Sequence, residues 1–312
     1  GAARAPRACT QPCNTHRALV AQLLACAMPI LSDLILYPIK SCAGLSLPQA
    51  RLTTAGLATP DGQIFDREWM VVDANGRYLT QRDFPRMALI TPTLQEHTLA
   101  LAFPGMAALE LALARPDPAL AATRRVHIWD ESLSAYDCDD ATAAWFSAAL
   151  GVPCRLVRFH AEAVRVVSQK WTGGVAATTL FSDGFPILVI GQGSLDDLND
   201  KLRGAGRAAL PMNRFRPNVV LAGIEAFEED YTDTFQIGDV TLKPVKPCPR
   251  CPMPSVDQAT GEFGPDPLEI LQSYRAKPEL DGALCFGMNA IVTAGDGLLV
   301  QVGQEIEVAL AF

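Results

Sequence analysis

Two thiols three residues apart, in Lys246-Pro-Cys248-Pro-Arg-Cys251-Pro-Met-Pro254, are the side chains of this chain best suited to chemistry. A thiolate is both a nucleophile and a soft metal ligand, and the flanking cations Lys246 and Arg250 favour it over the thiol. Prolines on both sides remove backbone freedom and hold the sulfurs in place. Three blander readings stand beside this one. A structural zinc site needs four ligands, yet there is no second Cys-x-x-Cys, and the histidines (His16, His97, His127, His160) show no paired spacing. A thioredoxin-like redox pair opens a helix after a strand, and the prolines beyond Cys251 oppose a helix. Inert loop cysteines are the default for such a local sequence.

Basic residues form the second constellation. Lys40-Ser41, Arg67, Arg82, Arg214, Arg216 and Arg250 fall at expected strand ends or turns rather than in helical ion-pair spacing. A guanidinium fork matches phosphate oxygens, so such a cluster suits a phosphate-bearing ligand; scattered surface salt bridges are the alternative. The formal charge of -8 excludes general affinity for nucleic acid or an anionic membrane, so any anion must be held by a local basic cluster. At 312 residues, 49% hydrophobic and 19% charged, the chain suits one large or two medium globular domains. No apolar run is long enough to span a membrane. Nine cysteines without a regular framework suggest reduced thiols, and hence a cytoplasmic protein. The first residues carry Arg4, Arg7 and Arg17 without an acidic residue, then an apolar run from Ala18 to Met28. They read as a targeting segment or as an upstream extension with Met28 as the natural start. The second is the expectation, and residues 1–30 are set apart from the fold.

The elements that must position these groups are mainly strands. Asp33 to Lys40 reads as a strand running into a Pro turn. Val71 to Thr80 reads as a hairpin in which Asn75-Gly76 supplies two positive-φ residues. Apolar stretches at 87–91, 98–103 and 107–113 are spaced as a β meander. Ala141–Leu150 is an expected helix, capped by Asp139-Asp140 and stopped by Gly151. Phe185–Ile190 reads as a buried strand, and Ser194-Leu-Asp-Asp197 as the capping box of a helix reaching about Arg203. Gly191-Gln-Gly193 is not a dinucleotide fingerprint, because Asp196 stands at the third glycine position and no βαβ repeat surrounds it. Period-two geometry puts Arg214 and Arg216 on one face of an extended segment. Gly238–Lys246 reads as a strand feeding the cysteine loop, and Leu268–Tyr274 as a short helix. Strands at 289–292, 298–300 and 305–310 finish the chain. The pattern is α+β and β-rich, better suited to barrels than to a doubly wound sheet.

Six motifs succeed one another: Leu36-Tyr-Pro-Ile-Lys-Ser-Cys42, Phe65-Asp-Arg-Glu-Trp69, Thr80-Gln-Arg82, Asn213-Arg-Phe-Arg-Pro-Asn218, Gly238-Asp-Val240 and Cys248-Pro-Arg-Cys251. In this order, over residues 31–311, the chain resembles the MOSC proteins that carry an N-terminal MOSC β-barrel domain. That group includes bacterial YcbX-type proteins and the mitochondrial amidoxime-reducing components. The resemblance implies a MOSC N-terminal β-barrel domain over 31–155 packed with a MOSC domain over 156–312.

It also implies a molybdenum cofactor (Mo-molybdopterin) on a single protein thiolate. The metal cysteine falls on Cys251, which becomes the catalytic centre, and Cys248 has no assigned role. Lys40, Ser41 and Arg67 would meet the pterin phosphate, with Arg216 and Asn218 lining the pocket. Ser182, Gly184 and Phe185, with Arg250 and Asn289, would complete it. Position 249 is Pro and offers no backbone N–H, and Pro254-Ser255 stand where relatives often have two threonines. The implied reaction is two-electron reduction of small N-hydroxylated substrates: amidoximes, hydroxylamines and N-hydroxylated bases. YcbX-type proteins often continue into a plant-type ferredoxin domain whose Cys-x4-Cys-x2-Cys spacing is not found in this sequence. Electrons are therefore expected from a separate donor, a ferredoxin or a flavin or haem reductase. Two rival classes remain. One is a molybdenum cofactor-binding or sulfur-carrier protein without its own turnover, since MOSC domains also occur fused to cofactor sulfurases. The other is a redox-sensing interaction protein that uses a Cys248–Cys251 disulfide.

Overall fold

Alternation builds the strand that delivers the cysteines. In Val240–Pro249 the first five residues alternate buried and half-buried, as one core-facing side requires. The strand pairs antiparallel with Ala283–Ala294, and the register shifts between Pro244 and Lys246 and again between Pro247 and Pro249. A proline lacks the ladder N–H, so each of these shifts falls where the sequence cannot pair regularly. The computed structural model describes residues 28–311; of the extension expected over 1–30, residues 1–27 lie outside the described residues, whereas Pro29 and Ile30 belong to the fold, Ile30 opening a strand paired with Ala222.

That strand pair is the middle of a nine-stranded sheet. Its order is Leu45–Leu47, Ile30–Leu36, Val219–Ala222, Ile187–Gly191, Ala283–Ala294, Val240–Pro249, Thr232–Ile237 and Glu307–Leu310, with Ala276–Lys277 beside Ala283–Ala294. Ile187–Gly191 and Val219–Ala222 run parallel, which requires the crossover that helix Gln192–Gly204 supplies. A four-stranded sheet (Trp69–Val72, Arg155–Phe159, Glu131–Asp137, Thr123–Ile128) and the meander Thr91–Leu94, Thr98–Ala102, Leu109–Ala112 come from the first half of the chain. The halves exchange strands. Ile30–Leu36 joins the second half's sheet, and Leu298–Gln301 pairs with Gln49–Thr53 of the first. One apolar cluster consequently contains Leu34, Leu52, Trp69, Phe146, Val189 and Phe235 together. The architecture is the expected β-rich α+β class. No helix among the described residues is long and apolar enough to cross a membrane.

Five local expectations are corrected. The Val71–Thr80 hairpin exists as the single bridge Val72↔Tyr78, but only Gly76 has positive φ (76°), with its N–H bonded to Asp73 O at 3.0 Å. The turn is thus a longer one closed by a single left-handed glycine. Ser194 is not a helix cap. The helix starts at Gln192, and the Ser194 hydroxyl donates to the buried Glu229 carboxylate at 2.7 Å. Arg214 and Arg216 do not share a strand face, because Met212–Arg214 is a 3-10 turn and Arg216 has φ 56°. The α-helix expected over Leu268–Tyr274 ends at Leu271, and residues 87–89 of the expected meander fall in the 3-10 turn Pro85–Leu89.

A buried ion pair fastens the four-stranded sheet. Arg158 Nε meets Glu68 Oε1 at 2.7 Å with both side chains under 5% exposed, its NH1 and NH2 donate to Ala114 O and Leu113 O, and its guanidinium lies 4.6 Å from the Trp69 ring. Removing one partner leaves an uncompensated charge inside, which typically costs about 3–5 kcal/mol. Glu68→Ala is therefore expected to lower unfolding stability by about that amount in urea titration, whereas Glu96→Ala, at an exposed position, should leave it within about 0.5 kcal/mol.

Candidate functional site

One buried carboxylate sets the site's backbone. Asp66 Oδ1 accepts from Tyr37 N and from Asn218 Nδ2, both at 2.9 Å, and Asp66 pairs with Arg67 through Oδ2. Asn218 then donates to Ile35 O at 3.1 Å and accepts from Leu188 N at 3.2 Å. Three distant segments thus converge on one group. Burial pushes the Asp66 carboxyl above its usual range, and the Arg67 charge opposes that. Four of the six non-glycine positive-φ residues among those described, Ser41, Arg67, Trp129 and Arg216, line a single cavity. Strain of this kind persists only where the surroundings over-determine it.

The cavity has a volume of about 530 Å³ and is lined by all the residues expected from the motifs: Lys40, Ser41, Arg67, Ser182, Gly184, Phe185, Arg216, Asn218, Arg250, Cys251 and Asn289. Lys40, Ser41, Arg216 and Asn218 are buried, while Phe185, Cys251 and Asn289 are half-buried. The Asn218 amide is fully engaged within the protein, so its place is in the wall. Arg250 donates to Phe286 O at 2.9 Å and to Phe215 O at 2.8 Å. Arg214 ties down the strap beyond Cys251, donating to Ser255 O at 3.0 Å and Asp257 Oδ2 at 2.6 Å. Gln81 joins the two halves: its amide donates to Ser41 O at 2.8 Å and exchanges hydrogen bonds with the Gln258 amide.

The deep end is cationic and short of acceptors. Arg67 and Arg216 both pack on the Tyr37 ring, at 4.3 and 4.2 Å. Neither terminal nitrogen of Arg216 finds a hydrogen-bond partner, although both are buried. Buried polar groups are paired in almost all proteins, so this fork awaits an anionic acceptor. Burial pushes the Arg216 guanidinium down from its ordinary value, as expected of a cation without a counter-charge. Among the described residues no cluster of three or more His, Cys, Asp or Glu could hold a metal ion. A metal on Cys251 would therefore take its remaining ligands from a bound group. A ligand with a phosphate for Arg216 and a soft metal for the Cys251 thiol fits these walls. Burial raises the neighbouring Cys248 thiol above its usual value, the opposite of what the flanking cations alone suggest.

Two residues on the cavity were not singled out from sequence. Asp183 accepts from Lys40 Nζ at 2.6 Å and from Trp129 Nε1 at 3.2 Å. Trp129 stands in the two-residue connection of a hairpin, and a tryptophan at a turn tip was the available signal.

Two family descriptions match the chain: the MOSC N-terminal beta barrel domain over residues 28–153 and the MOSC domain over 176–307. Mitochondrial amidoxime reducing component 2 of Rattus norvegicus is 37% identical over 78% of this chain and 72% of its own length. Mitochondrial amidoxime-reducing component 1 of Homo sapiens is 35% identical over 78% and 71%. The human molybdenum cofactor sulfurase is 30% identical over 95% of this chain but only 34% of its own length. The chain therefore belongs to the MOSC family, in the branch with an N-terminal MOSC β-barrel domain that includes the amidoxime-reducing components.

The Lys40–Asp183 pair gives a test by titration. Asp183 lines the cavity with its side chain 67% exposed. Burial raises its carboxyl, but the charge and hydrogen bond of Lys40 outweigh that and bring it to about 2, from an ordinary 3.8. A depressed carboxyl contributes stability above its unfolded value and loses it as pH falls through the folded one. The pair should thus support the fold above pH 3.8 and cease to do so near pH 2. Carboxyl NMR titration is expected to find Asp183 below the ordinary 3.8, and Lys40→Met to move it upward.

Proposed function

We propose that this chain is a molybdenum-cofactor-dependent reductase of N-hydroxylated compounds (amidoximes, hydroxylamines and N-hydroxylated bases), with Cys251 as the protein ligand to the metal. The observation that carries the reading is that an unpartnered buried guanidinium, Arg216, and a half-buried thiol, Cys251, line one cavity. Relatives named for amidoxime reduction, aligned over 78% of the chain, support the reaction class.

When bound, the cofactor supplies two-electron redox chemistry at a thiolate-ligated metal. The chain's residues hold and orient it. Arg216 and Arg67 offer the phosphate guanidinium donors braced on Tyr37, and Lys40 and Ser41 lie on the same turn. Ser182, Gly184, Phe185, Arg250 and Asn289 frame the remainder, while Asn218 keeps the wall in register. Electrons come from a separate donor, a ferredoxin or a flavin or haem reductase. The compartment we propose is a reducing one such as the cytoplasm; all six described cysteines are free thiols, though the relatives' names are mitochondrial. A second reading, a cofactor-binding or sulfur-carrier protein without turnover, draws on the likeness to the cofactor sulfurase.

Protein purified from a cofactor-competent host is expected to contain near-stoichiometric molybdenum by elemental analysis, and Cys251→Ser to lose it or hold it labile. Reduction of benzamidoxime with an artificial donor separates the enzyme from the carrier; a molybdenum-loaded protein that reduces no N-hydroxylated compound would sink the reductase reading. Arg216→Met makes a sharper test of the phosphate site. Hydrogen bonds to charged groups contribute about 1.5–3 kcal/mol, so cofactor retention should fall by roughly ten- to a hundredfold. The cofactor-free variant should melt no lower than cofactor-free wild type, because the guanidinium has no terminal hydrogen bond to lose.

A further inference from the structure

The exposed end of the cavity is built from different chemistry than the deep end. Trp129 connects strands Thr123–Ile128 and Glu131–Asp137 with φ 51°, a left-handed conformation that a bulky residue adopts only at a cost. Its indole stays 52% exposed and lines the cavity. Three contacts fix it: Nε1 donates to Asp183 Oδ1 at 3.2 Å, the Arg82 guanidinium lies 5.4 Å from the ring, and the Tyr78 ring is 5.8 Å away at 55°. An indole gains free energy by leaving water. Here a strained turn presents it to the cavity instead, to whose lining Phe185 and Met253 also contribute apolar side chains.

Asp183 supplies the polar half. Its Oδ1 accepts from both Lys40 and Trp129, whereas Oδ2 accepts from no described residue, and the side chain is open to the cavity. A fixed carboxylate oxygen beside a fixed aromatic surface is complementary to a planar ring that carries an N–H donor.

Resting on the reductase reading, we propose that Trp129 and Asp183 form a substrate clasp for aryl and heteroaryl N-hydroxylated compounds. The open indole surface stacks on the ring, and Asp183 Oδ2 accepts a hydrogen bond from the amino group next to the N-hydroxyl. The clasp favours an aryl amidoxime over a ringless hydroxylamine. It also retains the amidine product, whose cationic N–H fork matches the carboxylate.

The test uses molybdenum-loaded protein with an artificial donor, comparing benzamidoxime with N-methylhydroxylamine in wild type, Trp129→Leu, Trp129→Phe and Asp183→Asn. Trp129→Leu is expected to raise KM for benzamidoxime by roughly three- to tenfold, the size of an aromatic pair, with kcat and the constants for N-methylhydroxylamine unchanged. Trp129→Phe should restore most of the loss. Calorimetric binding of benzamidine to the same proteins reads the clasp without turnover; Trp129→Leu and Asp183→Asn should weaken it, and Trp129→Phe should not. Equal effects on the ringless substrate, or a benzamidine affinity indifferent to both positions, would overturn the clasp. Should wild type reduce neither compound, the reductase reading fails by itself, and the calorimetry then decides. Benzamidine binding lost in Trp129→Leu and Asp183→Asn upholds the clasp, and no binding to wild type removes it.

Discussion

The carboxylate of Asp66 has to be satisfied inside the protein, and that requirement shapes everything around the cavity. A buried anion is tolerated only when it is paired and hydrogen-bonded. Asp66 meets the condition by drawing in Tyr37 N, the Asn218 amide and the Arg67 guanidinium, which belong to segments far apart in sequence. Once Tyr37 is fixed, its ring is the surface on which Arg67 and Arg216 pack. Asn218, already turned toward Asp66, registers its own segment against Leu188 N. The cations of the deep wall are thus placed by a buried anion that does not itself line the cavity.

The second constraint is the exchange of strands between the two halves. Because Ile30–Leu36 pairs with Val219–Ala222, the Lys40-Ser41 turn that leaves it is carried to the mouth of the second half's sheet. On the other side the prolines of Val240–Pro249 break the ladder with Ala283–Ala294 just before Cys251, and Arg214 straps down the segment through Ser255 and Asp257. Strand exchange brings the cations and the thiol to one place, and the proline-imposed shifts release the thiol from the sheet to face them. The Gln81–Gln258 amide pair closes the remaining gap between these regions.

Much of this was legible, for identifiable reasons. Helix Asp140–Leu150 starts on the Asp139 side-chain cap and stops at left-handed Gly151, because capping chemistry is local and so is its signature. Residues from five of the six motifs line one cavity, Gly238-Asp-Val240 being the exception; their order along the chain reflects a shared architecture. What stayed hidden was conformational. Ser41, Arg67 and Arg216 sit at positive φ, a state that periodicity does not encode, so the period-two placement of Arg214 and Arg216 failed. Ser194 looked like a cap because its spacing is right, but a buried carboxylate 35 residues away, Glu229, claims its hydroxyl. Trp129 and Asp183 carry no motif of their own; their significance arises from a contact across 54 residues.

An acidic chain that gathers cations around an interior cavity, and leaves the terminal nitrogens of one guanidinium without acceptors, has a fold that is electrostatically incomplete by itself. Acidic groups nearby could have neutralised Arg216 and made the cavity self-sufficient, yet Asp66 is committed to Arg67 and Asp183 to Lys40. An anion bound there would serve two ends at once. It would supply the acceptors that Arg216 lacks, and, by binding only the folded state, it would draw the equilibrium toward that state. On the proposed reading the deep end couples ligand occupancy to stability, while the exposed end, where Trp129 and the free oxygen of Asp183 stand, discriminates among smaller molecules. Affinity for a resident group and selectivity for a transient one would then be separated along the same cavity by a gradient from buried cations to exposed aromatic surface.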